Sequence, residues 1–80
     1  MHIKILGPGC RNCATLEART REAVAQLGVD ATIEKVTDYA AIAGYGVMKT
    51  PGLVVDEQVV VSGRVPTVAQ IAHLVGDHGA

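Results

Sequence analysis

Gly7-Pro8-Gly9-Cys10-Arg11-Asn12-Cys13 is the stretch on which the fold turns, and it follows directly on the apolar run His2-Ile3-Lys4-Ile5-Leu6. A short strand broken by Gly-Pro-Gly and followed by helix-compatible residues reads as a strand–turn–helix unit. The chain's two cysteines, Cys10 and Cys13, stand at the turn with two residues between them. Two cysteines in eighty residues rarely fall three apart by chance. A disulfide closing so short a loop constrains the unfolded chain little, so a structural staple explains the pair poorly. A reversible dithiol or a metal clip remains.

Outward from the motif, Arg11 to Leu27 has helical periodicity. Cys13, Leu16, Thr20, Ala23, Val24 and Leu27 fall on one face, with Glu17, Arg21 and Glu22 largely off it. Gly28 suits the residue after a helix C-terminus. Ala31 to Val36 reads as a second strand, and Thr37 or Asp38 can cap a short helix over Tyr39 to Ala43. Thr50-Pro51 opens a third strand, Leu53 to Asp56; Glu57-Gln58 is the expected turn and Val59 to Ser62 the returning strand. That turn lacks the Gly or Asn that a two-residue primed hairpin favours. Thr67-Val68-Ala69-Gln70 has the form of a capping box and starts a final helix that Gly76 ends. The order is βαβαββα. It predicts an α/β fold with a four-stranded mixed sheet, the first two strands parallel and the last two a hairpin. The first helix covers one face, and the C-terminal helix forms the other helical layer, on a side that the sequence alone does not fix.

Composition narrows the function. Hydrophobic residues make up 49% of the 80 positions and charged ones 19%, which fits one globular domain spanning residues 1–80. A net charge of −1, with no Phe or Trp and two Tyr, disfavours a nucleic-acid binder, which needs positive charge and stacking rings. No apolar run approaches a membrane span, and the N-terminus has no signal-peptide pattern. The expectation is a cytoplasmic protein, monomeric, without membrane or nucleic-acid partners.

These features together resemble the thioredoxin-like superfamily, in its small redox-active disulfide form. The matching residues are Gly9-Cys10-Arg11-Asn12-Cys13 after the first strand and Tyr45-Gly46-Val47-Met48-Lys49-Thr50-Pro51 before the third. Val60-Val61-Ser62-Gly63-Arg64-Val65-Pro66, before the last helix, matches as well. The likeness runs from Met1 to about Val75. Gly9 stands where thioredoxins proper carry Trp, and Arg11-Asn12 replaces their Gly-Pro.

The resemblance implies a thiol–disulfide oxidoreductase whose only redox group is the Cys10–Cys13 pair, with no separate cofactor or bound metal. Cys10, at the start of the helix, can accept hydrogen bonds from the amides of Asn12 and Cys13. The helix dipole pulls its thiol down toward neutrality, where thiolate is populated and nucleophilic. Cys13 lies one turn on, faces inward and is the resolving thiol. The resemblance also makes Pro51 the proline of a cis peptide beside the dithiol, and gives Thr50 the backbone edge that receives an extended substrate. Lys49 and Arg64 are candidates for the same face, and Tyr45 for a cover over the dithiol. Substrates would be protein or small-molecule disulfides, with electrons from a reductase or small thiol.

Three alternatives stand beside this reading. A copper or zinc module also uses CxxC after a first strand, but Pro8 holds the place of its usual Met, and this chain ends in a helix. The three His supply no spacing for the further ligands of a zinc site. A nucleotide loop fails because Asn12 occupies the third Gly position of GxGxxG. A non-catalytic interaction domain would not require both cysteines.

Overall fold

The computed structural model describes residues 1–9, 11–47 and 49–79. Its elements are β1 (His2–Leu6), α1 (Arg11–Leu27), β2 (Thr32–Val36), α2 (Tyr39–Gly44), β3 (Gly52–Val55), β4 (Gln58–Ser62) and α3 (Val68–Gly79). The four strands lie in the order β2-β1-β3-β4. β1 pairs parallel with β2, Ile3 opposite Ile33, and antiparallel with β3, Ile5 opposite Leu53. β3 and β4 form the antiparallel hairpin, with an irregularity at Leu53/Val54. The expected thioredoxin-like βαβαββα arrangement is the one observed.

Strand alternation divides the core in two. Ile3 and Ile5 of β1, Leu53 and Val55 of β3, and Val61 of β4 pack on one side with Leu16 and Ala23 of α1 and Ile71 and Val75 of α3. Leu6 and Val54 point the other way, against Ile42 of α2 and Val47. The C-terminal helix is therefore not the opposite layer: α1 and α3 share a face, and α2 covers the other. The reason is area. Five apolar strand side chains need two long helices to cover them, whereas the six-residue α2 and Val47 suffice for Leu6 and Val54. Arg19 Nη1, midway along α1, donates to the Pro66 carbonyl at 3.1 Å and ties α1 to the segment that leads into α3.

Several boundaries differ from expectation. Leu27, the last residue of α1, is 39% exposed rather than on the buried stripe. The hairpin turn is Asp56-Glu57, not Glu57-Gln58, and both residues are left-handed, at φ 49° and 69°. Contacts to β1 offset the cost. The Asp56 amide donates to the His2 carbonyl at 2.8 Å, and Asp56 Oδ1 accepts from the His2 amide at 2.8 Å. Glu57 accepts from Lys4 Nζ at 2.8 Å and from the Tyr45 hydroxyl at 3.1 Å. Asp38 rather than Thr37 caps α2, accepting from the Ala40 amide. Gly76 does not end α3, which continues to Gly79: this glycine keeps helical backbone and costs only propensity. Among the described residues no helix is long and apolar enough to cross a membrane.

Candidate functional site

The site is built where β1 runs out. The Gly7 amide donates to the Val36 carbonyl at 2.9 Å, carrying the β1–β2 pairing one residue past Leu6. Gly9 then takes φ 90°, a left-handed turn that aims the chain into α1. Cys10 lies outside the described residues. Cys13 is in the first turn of α1 and is buried, 5% exposed. Its neighbour across the turn is Gly7. A Cβ at Gly7 would overlap the Cys13 sulfur, stand 3.2 Å from Cys13 Cβ, and touch Thr50 Cβ at 3.8 Å. The missing side chain at Gly7 is what lets Cys13 and Thr50 flank the same backbone.

Thr50 arrives there through the segment before β3. The Thr50–Pro51 peptide is cis. Pro51 is buried, and its carbonyl accepts from the Gly63 amide at 2.9 Å, which fixes this segment to the end of β4. The Lys49 stem lies over Gly63, where an added Cβ would come within 2.9 Å of Lys49 Cβ. The three separated stretches singled out in the sequence thus meet at one end of the sheet.

A pocket of about 80 Å³ opens beside Cys13, lined by Ile5, Gly7, Gly9, Ala14 and Thr37 together with Glu17 and Lys35. Glu17, placed off the buried face by periodicity, is in fact largely covered, its side chain 16% exposed. Lys35 Nζ of β2 meets Glu17 Oε1 at 3.0 Å, and Arg21 donates to Oε2 through Nη2 at 2.9 Å and Nε at 3.1 Å. The hydrogen bond from Lys35, then that from Arg21, holds the Glu17 carboxyl below its ordinary range. The signal for Glu17 was present in the sequence as its i+4 spacing from Cys13; Lys35 had no local signal.

The Tyr45 hydroxyl bonds Lys4 Nζ and Glu57, toward the hairpin turn at the end of β1 remote from Gly7. Arg64 lines a shallow groove with Ala69, Gln70, His73 and Leu74 on the outside of α3, and Lys49 is exposed.

The sequence matches the thioredoxin domain family over residues 1–76. It is 44% identical to a thioredoxin of Methanothermobacter thermautotrophicus over 71 residues, covering 89% of this chain and 92% of that protein. It is 42% identical to a thioredoxin of Methanocaldococcus jannaschii over 69 residues, covering 86% and 79%. The chain belongs to the thioredoxin domain family and is a thiol–disulfide oxidoreductase.

Proposed function

We propose that Cys10 and Cys13 are the redox pair of this oxidoreductase, with Cys10 the attacking thiol and Cys13 the resolving one. The observation that carries the reading is the burial of Cys13 in the first turn of α1, against Gly7 and beside the cis Thr50–Pro51 segment. A buried thiol is shielded from outside disulfides but suited to an intramolecular attack one helical turn away.

The cycle begins when the Cys10 thiolate, favoured by the amide-rich start of a helix, attacks a substrate disulfide. One substrate sulfur leaves as thiolate and the other stays on Cys10 as a mixed disulfide. Cys13 then attacks Cys10 Sγ, the Cys10–Cys13 bond forms, and the second substrate sulfur leaves with its electron pair. The substrate gains two electrons and the dithiol loses two; a reductase or small thiol restores it. No further cofactor or metal takes part. Thr50, with Pro51 behind it, offers the backbone edge on which an extended protein disulfide lies, and an unbranched small-molecule disulfide needs less of it. The cytoplasm, where thiols are kept reduced, is the compartment this cycle suits.

The test is a pair of serine variants assayed for insulin reduction and for trapped adducts. Cys10→Ser removes turnover. Cys13→Ser still attacks but accumulates a stable mixed disulfide, visible by mass spectrometry under non-reducing conditions. Equal alkylation rates of the two thiols near neutral pH would overturn the assignment of roles.

A further inference from the structure

The resolving step leaves a chemical question at Cys13. A buried thiol must lose its proton before it can attack, and burial among apolar groups disfavours the anion. Among the described residues, the groups that line its pocket come from several elements. From β1 comes Ile5 and from just past it Gly7, neither with a titratable side chain, and Lys4 bonds Tyr45 and Glu57 instead. The turn contributes Gly9, the β2–α2 connection Thr37, and β2 Lys35. From α1 itself comes Glu17, one turn beyond Cys13, with Arg21 one turn further behind it. Glu17 is the carboxylate among the described residues lining this pocket.

We propose that Glu17, clamped by Arg21 and Lys35 across the pocket that Cys13 lines, takes the Cys13 proton when that thiol resolves the mixed disulfide. This rests on the assignment of Cys13 as resolving thiol. Three features support it. Residues i and i+4 on a helix have Cβ atoms about 5–6 Å apart, so the carboxylate and the thiol face the same space. The walls are small (Gly7, Gly9 and Ala14) and leave about 80 Å³, room for roughly two water molecules to bridge the two groups. Glu17 is 16% exposed, so a proton it receives can pass on to solvent. Lys35 and Arg21 keep the carboxylate unprotonated and aimed. In the step, the Cys13 S–H proton moves to Glu17 and the Cys13 sulfur attacks Cys10 Sγ. The Cys10–Cys13 bond forms, and the substrate sulfur departs from Cys10 with the electron pair of the broken bond. The proton on Glu17 then goes to water.

The two steps can be read separately with 5,5′-dithiobis(2-nitrobenzoate), which releases one thionitrobenzoate when Cys10 attacks and a second when Cys13 resolves. Stopped-flow traces of the reduced protein from pH 5.5 to 9 give both rates. In Glu17→Gln the second release slows by about a hundredfold or more near pH 6.5 and then climbs with pH as solvent base takes over. The first release is unchanged. Glu17→Asp restores part of the second rate at low pH, which a merely structural defect would not show, and thermal unfolding of both variants confirms that they fold. A second release in Glu17→Gln with the rate and pH profile of the parent protein overturns the role of Glu17. A first release that survives in Cys10→Ser instead overturns the underlying assignment of the thiols, so the two failures are distinguishable.

Discussion

Gly7 carries a constraint that its neighbours in the chain do not reveal. Its backbone is an ordinary extension of β1, yet a methyl group there would collide with the Cys13 sulfur while touching Thr50. Overpacking of this kind costs about 1–3 kcal/mol when the neighbour cannot give way, and Cys13 sits in a covered first helical turn. Gly7→Ala should therefore lower the unfolding free energy measured in urea by that amount and slow disulfide exchange, because Cys13 or Thr50 must move. Gly76 makes the contrast. It is helical within α3 and a Cβ there meets nothing within 4 Å, so Gly76→Ala should stabilise by about 0.5–1 kcal/mol and leave exchange unchanged. A Gly7→Ala protein with the parent's midpoint and exchange rate would refute the packing argument. The burial of Cys13 beside the cis Thr50–Pro51 peptide was approachable from the sequence, the cysteine through its helical periodicity and the proline through the family resemblance. Gly7 was not, since the reason for glycine there is a through-space contact with a residue six positions on.

At the scale of elements, the limits of the helices and strands follow from side chains that satisfy exposed backbone groups. The Thr67 amide donates to Gln70 Oε1 at 2.9 Å while Thr67 Oγ1 accepts from the Gln70 amide at 3.2 Å, the reciprocal pair expected from the sequence. Thr67→Ala removes the acceptor at the start of α3 and should cost about 1 kcal/mol, with Thr67→Ser near neutral. For a chain of this size, that is a fall of about 4–8 °C in Tm, measurable by circular dichroism. An unchanged Tm in the alanine variant would mean that water replaces the cap at no cost. Such caps are local and therefore readable, as are the periodicities of α1 and the strand alternation of β1. The side of the sheet that α3 takes is not local. Its stripe of Val68, Ile71 and Val75 would suit either face, and the choice depends on how much apolar area β1, β3 and β4 jointly present beside α1. The hairpin turn was misplaced by one residue for a similar reason. Asp56 tolerates left-handed backbone but Glu57 is poorly suited to it, and the bonds from His2, Lys4 and Tyr45 hold the pair there.

For the whole molecule, those same ion pairs set how stability responds to pH. The hydrogen bond from Lys4, then that from Tyr45, holds the Glu57 carboxyl below its ordinary value of 4.5, as Lys35 and Arg21 do for Glu17. Lys4 moves the other way: its hydrogen bond to Glu57, then that to Tyr45, raises it above its ordinary value of 10.5. A carboxyl whose folded pKa is depressed binds protons more readily when the chain is unfolded. Its contribution is present above 4.5 and disappears as pH falls through that value toward the folded one. An ammonium whose folded pKa is raised contributes fully below 10.5, and loses that contribution as pH rises through its folded value. The three groups therefore give a plateau between about pH 5 and 10, bounded by Glu17 and Glu57 on the acid side and Lys4 on the alkaline side. Urea unfolding of the oxidised protein, in which neither thiol titrates, should show from pH 3 to 10 a midpoint flat across the plateau and falling below it. Glu57→Gln should flatten the acid slope and lower the plateau, since it discards the charge on which Lys4 and Tyr45 converge. Glu17→Gln should flatten the same slope through a different pair of cations, Lys35 and Arg21. The two clusters share no residue, lying on the α1 side and the α2 side of the sheet, so their effects on the acid slope should add in the double variant. An acid slope in the double variant as steep as the parent's would show that other carboxylates govern the acid limit.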